Sequence, residues 1–357
     1  MVTAIDDLIE ISHFAGNRFD LVQAGGGNSS IKTGDSTMLI KSSGISLSEV
    51  ESDSGYVAVD YHEIRQFLNE QDFSQYDKTQ RELLANQVMD KSRIENEGKP
   101  SIETFLHALL NSHTLHTHPI SVNILAAKEN WKSLLLDIWP EAVCVPYFTP
   151  GIDLAIAMVT EVKLFESNHH QLPKVVFLQN HGLIISAENS RQVKELTEQV
   201  CLKIESEIGI DLQRYHQASK LKDLLAQLPY PNIQVLCNDD MTIHNYFDDE
   251  QPNIATWPFC PDTLVYCGIR PVFMDSIQDT SDIEFYISSY QDHPKVIVLN
   301  NTIYFCAQSQ RKARDAQDLL KFHLMVIHHS DDSLQRLSMD EIAYLSNWDA
   351  EKYRQGV

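Results

Sequence analysis

The spacing of apolar residues in the first half of the chain switches between helical and strand-like periods. Residues 3–15 place apolar side chains three and four positions apart, which predicts a helix with Thr3 as its cap. Helical spacing recurs at 153–165 and 190–208. Apolar runs of strand length lie at 38–41, 56–59, 175–178 and 183–186. The first half therefore contains both predicted helices and predicted strands.

The second half carries its own set of elements. Residues 295–299 and 303–306 flank Asn300-Asn301, a pattern typical of a β-hairpin with a two-residue turn. Composition shifts near 213–228, and the acidic, turn-rich stretch 239–252 indicates a boundary region. We therefore predict two domains, residues 1–212 and 213–357. No internal repeat is evident in the sequence.

Two turns rich in Gly and Ser follow apolar runs in the first domain. One contains Gly25-Gly26-Gly27 after the strand-like run 21–24, and the other is Ser42-Ser43-Gly44. Such turns offer backbone N–H groups to an anion, although a plain hairpin turn is the favoured interpretation of either one alone. A dinucleotide fingerprint is not met, because position 30 is Ser and no clear helix follows.

The strongest candidate chemistry lies around 99–125. Glu103 falls within the first turn of a helix predicted to begin after Pro100-Ser101, and His116 and His118 share one face of the next strand. A third histidine, His181, stands at a Gly turn after the strand 175–178. Three imidazoles with an open fourth position typically form a catalytic zinc site, and Glu103 can converge on the same ion.

Composition narrows the classes of partner. Hydrophobic residues make up 43% and charged residues 22% of the 357 positions, as in an ordinary globular protein. The formal charge of −22 opposes binding to nucleic acid or anionic lipid. No apolar run reaches membrane-spanning length, and the acidic residues near the start do not fit a signal peptide. Six scattered cysteines without CxxC spacing indicate reduced thiols in the cytoplasm.

Five motifs in order resemble those of the class II aldolase/adducin family. They are Gly27-Asn28-Ser29-Ser30, Lys41-Ser42-Ser43-Gly44, Pro100-Ser101-Ile102-Glu103, His116-Thr117-His118 and Asn180-His181-Gly182. The resemblance covers roughly residues 1–210. The remainder is similar to the aldolase half of fusion proteins linked with rhamnulose-phosphate metabolism, in which a dehydrogenase half follows.

The resemblance implies a three-layer α/β/α domain around a mainly antiparallel sheet, followed here by a smaller α/β unit of unknown role. It implies Zn²⁺ or another divalent metal on His116, His118 and His181, with Glu103 as the catalytic acid/base. The family's phosphate-binding positions match four residues: Asn28, Ser43, Gly44 and Ser101. Family members are usually homotetramers that act on sugar phosphates.

The chemistry of these groups agrees with a lyase that cleaves a short-chain ketose or ketose 1-phosphate. Breaking a C–C bond beside a ketone leaves an enediolate, whose charge a divalent cation stabilises while Glu103 carries a proton. Tyr147 is our candidate donor to the aldehyde oxygen, with a packed aromatic as the alternative. Ile102 stands where phosphate-handling relatives often have a second hydroxyl, so the substrate can lack phosphate. Epimerisation, dehydration and a non-catalytic adducin-like scaffold stay open.

Overall fold

The apolar runs of the first half form one seven-stranded sheet in the computed structural model. Its strands are β1 (Asn28–Thr33), β2 (Thr37–Lys41), β3 (Tyr56–Asp60), β4 (His113–Thr117), β5 (Val143–Val145), β6 (Val175–Leu178) and β7 (Gly182–Ala187). Their order is β3-β2-β1-β4-β7-β6-β5. Every neighbouring pair is antiparallel except β5–β6. The structure describes residues 3–34, 36–94, 98–228, 233–249, 258–330 and 334–347.

Eight helices accompany this sheet in the first unit, residues 1–212. They are α1 (Ala4–Gly16), α2 (Tyr61–Glu70), α3 (Lys78–Ser92), α4 (Thr104–Ala108), α5 (Ile120–Ala126), α6 (Trp131–Ile138), α7 (Ile152–His169) and α8 (Ser190–Ile208). Thr3 caps α1 through a capping box with Asp6, as the sequence predicts. Nowhere in the described chain is a helix both long and apolar enough to cross a bilayer.

Successive side chains of the central strands feed two separate cores. Leu183 and Ile185 of β7 join the cluster that contains residues of α1, α5, α6 and α8, whereas Ile184 joins the cluster formed with α2, α3, α4 and α7. The period of two places the two sets on opposite faces of the sheet. Helices therefore cover both faces, and the predicted three-layer α/β/α class with a mainly antiparallel sheet is confirmed.

Two local predictions near the glycine triplet and Glu103 are wrong. Residues 21–24 form no strand; they belong to a turn, so the triplet precedes β1 and does not follow a strand. The helix expected from Ser101 begins only at Thr104. The hydroxyl of Ser101 accepts the N–H of Glu103, and its carbonyl accepts the N–H of Thr104, so this segment is a turn that leaves Glu103 just outside α4.

The second unit, residues 213–357, contains a four-stranded sheet of its own. Its strands are β8 (Gln234–Cys237), β9 (Val272–Met274), β10 (Val296–Leu299) and β11 (Thr302–Ala307), in the order β8-β11-β10-β9. Its helices are α9 (Gln213–Leu225), α10 (Met241–Asp249), α11 (Pro261–Cys267), α12 (Ser281–Tyr290), α13 (Gln310–His328) and α14 (Met339–Asn347). The predicted hairpin is present, with Asn300 and Asn301 at positive φ. The supposed boundary stretch instead contains α10.

The second sheet repeats the connectivity of half of the first. In the first unit β4 pairs antiparallel with β7, β7 pairs antiparallel with β6, and β6 runs parallel to β5. In the second unit β8 pairs antiparallel with β11, β11 pairs antiparallel with β10, and β10 runs parallel to β9. Each hairpin is followed by a helix of 19 residues, α8 or α13. The likeness of the two units therefore lies in the order and direction of their strands, and it leaves the prediction of no repeat in the sequence untested.

The six cysteines are free thiols, and five of them are buried. Burial raises the pKa of Cys144 and of Cys267 to about 12. A thiol with such a pKa stays protonated at neutral pH and is a poor nucleophile or metal ligand. These two residues therefore serve packing.

The contact between α4 and the sheet depends on a fully buried histidine. His107 of α4 shares a hydrogen bond of 2.7 Å between its Nδ1 and the hydroxyl of Ser30 on β1. His107 thus links α4 to a strand of the sheet. Burial lowers the pKa of His107 from 6.5 to about 3, so the folded protein holds the ring neutral.

We expect His107 to make the free energy of unfolding fall as pH drops from 6.5 towards about 3. In that window the unfolded chain takes up a proton that the folded chain refuses, which costs up to about 1.4 kcal/mol per pH unit. His107→Asn removes this contribution, so its urea-unfolding profile should be flatter with pH than the parent's. The exposed His62→Asn is the control and should follow the parent; an equal slope in the His107 variant contradicts the assignment.

Candidate metal centre

Two histidines separated by one residue, His116 and His118, meet a third that is remote in sequence, His181, at the end of β4. The Nε2 atom of His116 lies 3.1 Å from Nε2 of His118 and 3.3 Å from Nε2 of His181. The ring centroids are 4.8 to 5.2 Å apart. One nitrogen of each ring therefore faces a common point, the arrangement that the sequence pattern predicts.

His116 has its tautomer fixed by the sheet. It is the last histidine within β4, fully buried, and its Nδ1 lies 3.0 Å from the carbonyl oxygen of Leu183 on β7. A carbonyl only accepts, so Nδ1 carries the proton and donates it. In the neutral ring the lone pair is then on Nε2, directed at the other two histidines. This second hydrogen bond is the usual support of a metal-binding imidazole.

His118 stands just beyond β4, held between two glycines. A Cβ on Gly26 would lie 2.8 Å from Nδ1 of His118, and one on Gly182 would lie 3.1 Å from its Cδ2. The backbone N–H of His118 donates to the carbonyl of Leu21 at 2.8 Å. The glycine triplet, considered from sequence as an anion-binding turn, thus contributes Gly26 as space for a histidine ring. Sequence spacing alone does not reveal this role.

His181 occupies the tight turn between β6 and β7. Asn180 before it adopts a left-handed conformation, with φ of 53°, and its N–H donates to the carbonyl of Ala126. Asn123 of α5 donates through Nδ2 to the carbonyl of His181 at 3.3 Å. Asn123 is thus a supporting residue that the motif analysis missed.

Glu103 completes the cluster from a separate element. Its Oε1 lies 3.2 Å from Nε2 of His181 and 3.4 Å from Nε2 of His116, and its side chain is 12% exposed. The turn at Ser101, which delays the start of α4, places Glu103 immediately before that helix. A carboxylate and three imidazoles therefore surround one small space.

The electrostatics of this space favour a positive charge. Burial alone would raise the pKa of Glu103, but the His116 and His181 rings outweigh it and hold that pKa well below its ordinary value. Burial likewise opposes protonation of His116, and Glu103 outweighs it and raises the pKa of that ring. Burial lowers the pKa of His118 to about 3, so this ring is neutral.

These residues fit a divalent transition metal. Zinc takes imidazole nitrogens at about 2.1 Å in tetrahedral geometry, which puts two ligand nitrogens about 3.4 Å apart. The observed separations from His116, 3.1 and 3.3 Å, are close to that value. The donor set also suits zinc, nickel or cobalt better than calcium or magnesium, which prefer oxygen ligands. The cluster therefore has the spacing and the donor atoms for such an ion.

The residues matched to the family's phosphate site fall in two adjoining loops and on β1. The Ser42 and Pro100 backbones form a bridge, and the N–H of Ser43 donates to the carbonyl of Lys99 at 2.8 Å. The exposed Ser43-Gly44 turn and the half-buried Ser101 thus lie in two loops whose backbones are in contact. Asn28 lies directly opposite His116 in the β1–β4 register.

Asn28 contributes an unsatisfied donor. Its side chain is 1% exposed, its Oδ1 accepts the N–H of Ser29, and its Nδ2 has no hydrogen-bond partner among the described residues. A buried amide without a partner is costly, and such atoms cluster where a ligand supplies the missing acceptor. This position is therefore suited to hold a substrate oxygen.

Lys41, the last residue of β2, is buried. It is 3% exposed, and its Nζ donates to the carbonyls of Ser42 and Ile45 on either side of the Ser43-Gly44 turn. Burial lowers its pKa, while the charge of Glu103 acts in the opposite direction. Lys41 therefore stabilises the Ser43-Gly44 turn through these two hydrogen bonds.

Tyr147 is set apart from the other candidates. Its side chain is 55% exposed, so it is not the packed aromatic considered as the alternative. Its backbone N–H donates to Oε1 of Gln179 at 3.0 Å, which ties its loop to the turn carrying His181. Within the described ranges no hydrogen bond or ring contact joins Tyr147 to the histidines. Its catalytic role stays a prediction.

Comparison with known proteins supports one family. The model of the Class II Aldolase and Adducin N-terminal domain matches residues 6–202, more than half of the chain. A search of curated proteins gave no match. The match ends before the second unit begins, so it bears on the metal centre and leaves residues 213–357 unassigned.

Several solved structures are similar to the chain at low identity. The N-terminal class II aldolase domain of a conserved protein from Thermoplasma acidophilum is 22% identical, with a TM-score of 0.49, covering 58% of this chain and 95% of its own. A sugar-phosphate aldolase from Thermotoga maritima is 16% identical, with a TM-score of 0.40, covering 57% and 92%. An L-fuculose-1-phosphate aldolase from Thermus thermophilus is 14% identical, with a TM-score of 0.35, covering 59% and 96%.

We expect Gly26→Ala to weaken zinc binding by about 10- to 100-fold, because the added methyl displaces the His118 ring. Gly25→Ala is a matched control, since a Cβ there meets nothing within 4 Å. Competitive titration against a chromophoric chelator measures both affinities. Equal affinities for the two variants would show that the ring of His118 is not held by this contact.

Proposed function

The chain belongs to the class II aldolase and adducin family, and from that membership we propose that it is a metal-dependent lyase of the aldolase type. Its substrate is a short-chain ketose or ketose 1-phosphate, which it cleaves to an aldehyde and a smaller hydroxy-ketone. The metal ligands are His116, His118 and His181, and Glu103 is the acid/base. The observation that carries this proposal is the convergence of three Nε2 atoms and one carboxylate.

A non-catalytic scaffold has no physical need for this arrangement. Packing three imidazoles and an ionised carboxylate into a mostly buried space costs desolvation, which an apolar core would avoid. The fold retains the cluster together with supports that have no other evident purpose, namely the Leu183 carbonyl, Asn123 and the space at Gly26. This favours an enzyme over an adducin-like scaffold.

Glu103 is suited to move a proton. A divalent cation held by the three histidines supplies Lewis-acid stabilisation of negative charge developing on substrate oxygens. Glu103 is ionised in the folded protein and lies beside His181 with its side chain 12% exposed. Its Oε1 carries the proton to and from the substrate carbon at which the C–C bond breaks.

Asn28 and the two loops suit a substrate that carries an anion. The unsatisfied Nδ2 of Asn28 offers one donor. The hydroxyls of Ser43 and Ser101, on two loops joined by the Ser42–Pro100 bridge, offer others. Lys41 adds a buried positive charge close behind the turn. We assign these groups to a substrate phosphate, with Ile102 marking the one place where a hydroxyl of other family members is lost.

The remaining roles complete the proposal. We assign protonation of the aldehyde oxygen to Tyr147, whose exposed hydroxyl is accessible to a substrate. We propose that the protein is a homotetramer, as members of the family usually are. We also propose that it is located in the reducing cytoplasm, which its free thiols support. Light scattering of the purified protein measures the assembly directly.

We expect Glu103→Gln to lower kcat for aldehyde release by roughly 10²- to 10⁴-fold while zinc stays bound, because the amide cannot carry the proton. Glu166→Gln, an exposed change on α7, is the control and should leave kcat unchanged. The assay follows aldehyde from ketose 1-phosphates and their unphosphorylated forms, with metal content measured on each preparation.

The outcomes of this assay separate the candidates. A Glu103 variant as fast as the parent means that the proton carrier is another group. Conversion of substrate to an isomer without any aldehyde means epimerisation, and loss of water means dehydration. Negligible metal in the parent after zinc supplementation means a scaffold.

Combining Ser43→Ala with Ser101→Ala should raise KM for a ketose 1-phosphate by about tenfold or more and leave KM for the unphosphorylated ketose nearly unchanged. The two hydroxyls would otherwise donate to the phosphate, and hydrogen bonds to charged groups are worth about 1.5–3 kcal/mol. Steady-state kinetics on both substrates measure the difference. An equal rise for both would mean that these hydroxyls bind the sugar and not the phosphate.

A further inference from the structure

The second unit contains a cavity of about 330 Å³ at the end of the β10–β11 hairpin opposite its Asn300-Asn301 turn. The residues before β10, the end of β11 and the first turns of α13 surround it. Its lining includes Val265, Tyr266, Lys295, Arg311, Lys312 and Asp315. A cavity of this size accommodates a small metabolite.

The cavity concentrates positive charge in a strongly acidic chain. Lys295, Arg311 and Lys312 line it against one carboxylate, Asp315, although the chain as a whole carries −22. Lys295 has a side chain only 10% exposed, and its Nζ donates to the carbonyl of Val265 at 2.8 Å. Asp292 lies 3.2 Å from that Nζ. A basic lining on an acidic protein indicates an anionic ligand.

The matching helix of the first unit contains an ion pair that Arg311 and Asp315 do not form among the described residues. In α8, Arg191 pairs with Glu195 one turn later at 2.7 Å. The matching residues of α13 are Arg311 and Asp315, which both line the cavity. Across the ranges that the structure describes, no ion pair joins these two and no residue hydrogen-bonds the guanidinium of Arg311. Its charge is available to a ligand.

The second unit has no histidine at the positions that match those of the metal centre. Cys237 lies opposite Tyr304 as His116 lies opposite Ile184, so Cys237 and Asp239 stand where the first unit has His116 and His118. Counted back from β11 in the same register, Asn301 stands where His181 precedes β7. The second unit has the framework of the first without its ligands, and its cavity lies at the other end of the hairpin.

We propose that this cavity binds a small phosphorylated metabolite, a phosphate monoester whose organic part packs against Val265 and Tyr266. Arg311 and Lys312 pair with the phosphate, whose three oxygens match several convergent donors. The Ser309 hydroxyl caps the 19-residue helix α13 beside them, and the first N–H groups of that helix add donors at the same end.

Hydrogen–deuterium exchange of the whole chain tests this proposal with ribose 5-phosphate as the probe. We expect slower exchange in peptides covering 293–296 and 306–315, and no change there with ribose. Because the metal centre is itself proposed to bind sugar phosphates, peptides of residues 1–212 are analysed separately. Protection of the second unit that persists in protein stripped of metal by a chelator distinguishes this site from the catalytic one.

Affinity measurements on variants complete the test. R311A combined with K312A should weaken binding at this site by at least about tenfold, whereas R314A, an exposed arginine of α13 outside the lining, should not. The proposal is overturned by absent protection in the second unit, by equal protection with ribose or malate, or by unchanged affinity in R311A/K312A.

Discussion

The first unit depends on one constraint, which is that three imidazole lone pairs and a carboxylate share a small space. Groups of this kind repel one another unless a cation sits between them, so the surrounding fold has to fix each ring independently. It does so from three elements: the sheet holds His116 through Leu183, the Gly26 and Gly182 backbones confine His118, and a left-handed Asn180 presents His181. Rings fixed in this way lose little entropy when an ion binds, which raises the affinity of the site.

The sequence revealed those parts of the molecule in which one residue type has one physical reason. Strand-length apolar runs became β6 and β7 because both faces of those strands are buried, and Asn300-Asn301 became a hairpin turn because asparagine tolerates positive φ. The histidines and Glu103 were found because few other patterns place such ligands together. Period and spacing therefore predicted individual elements and the group of candidate ligands, whereas the fold class followed from the family resemblance.

Features created by tertiary contact escaped this reasoning. The late start of α4 follows from hydrogen bonds of Ser101, which periodicity cannot distinguish from a cap. The role of Gly26 was missed, because both an anion-binding turn and a plain turn fit the glycine triplet and only the folded chain shows that His118 lies against it. The acidic stretch 239–252 read as a boundary, yet α10 buries Ile243 and Phe247 within the second unit. In each case a distant neighbour decides the role of a locally ambiguous residue.

The repeated topology explains how the two units came to differ in chemistry. A hairpin followed by a long helix offers two places for a ligand: the turn, and the opposite end where the helix begins. The first unit uses the turn, where His181 meets the histidines of β4. In the second unit Cys237 and Asn301 stand in place of two of those histidines. Basic residues line the other end of its hairpin, so the same strand order carries different polar groups in each unit.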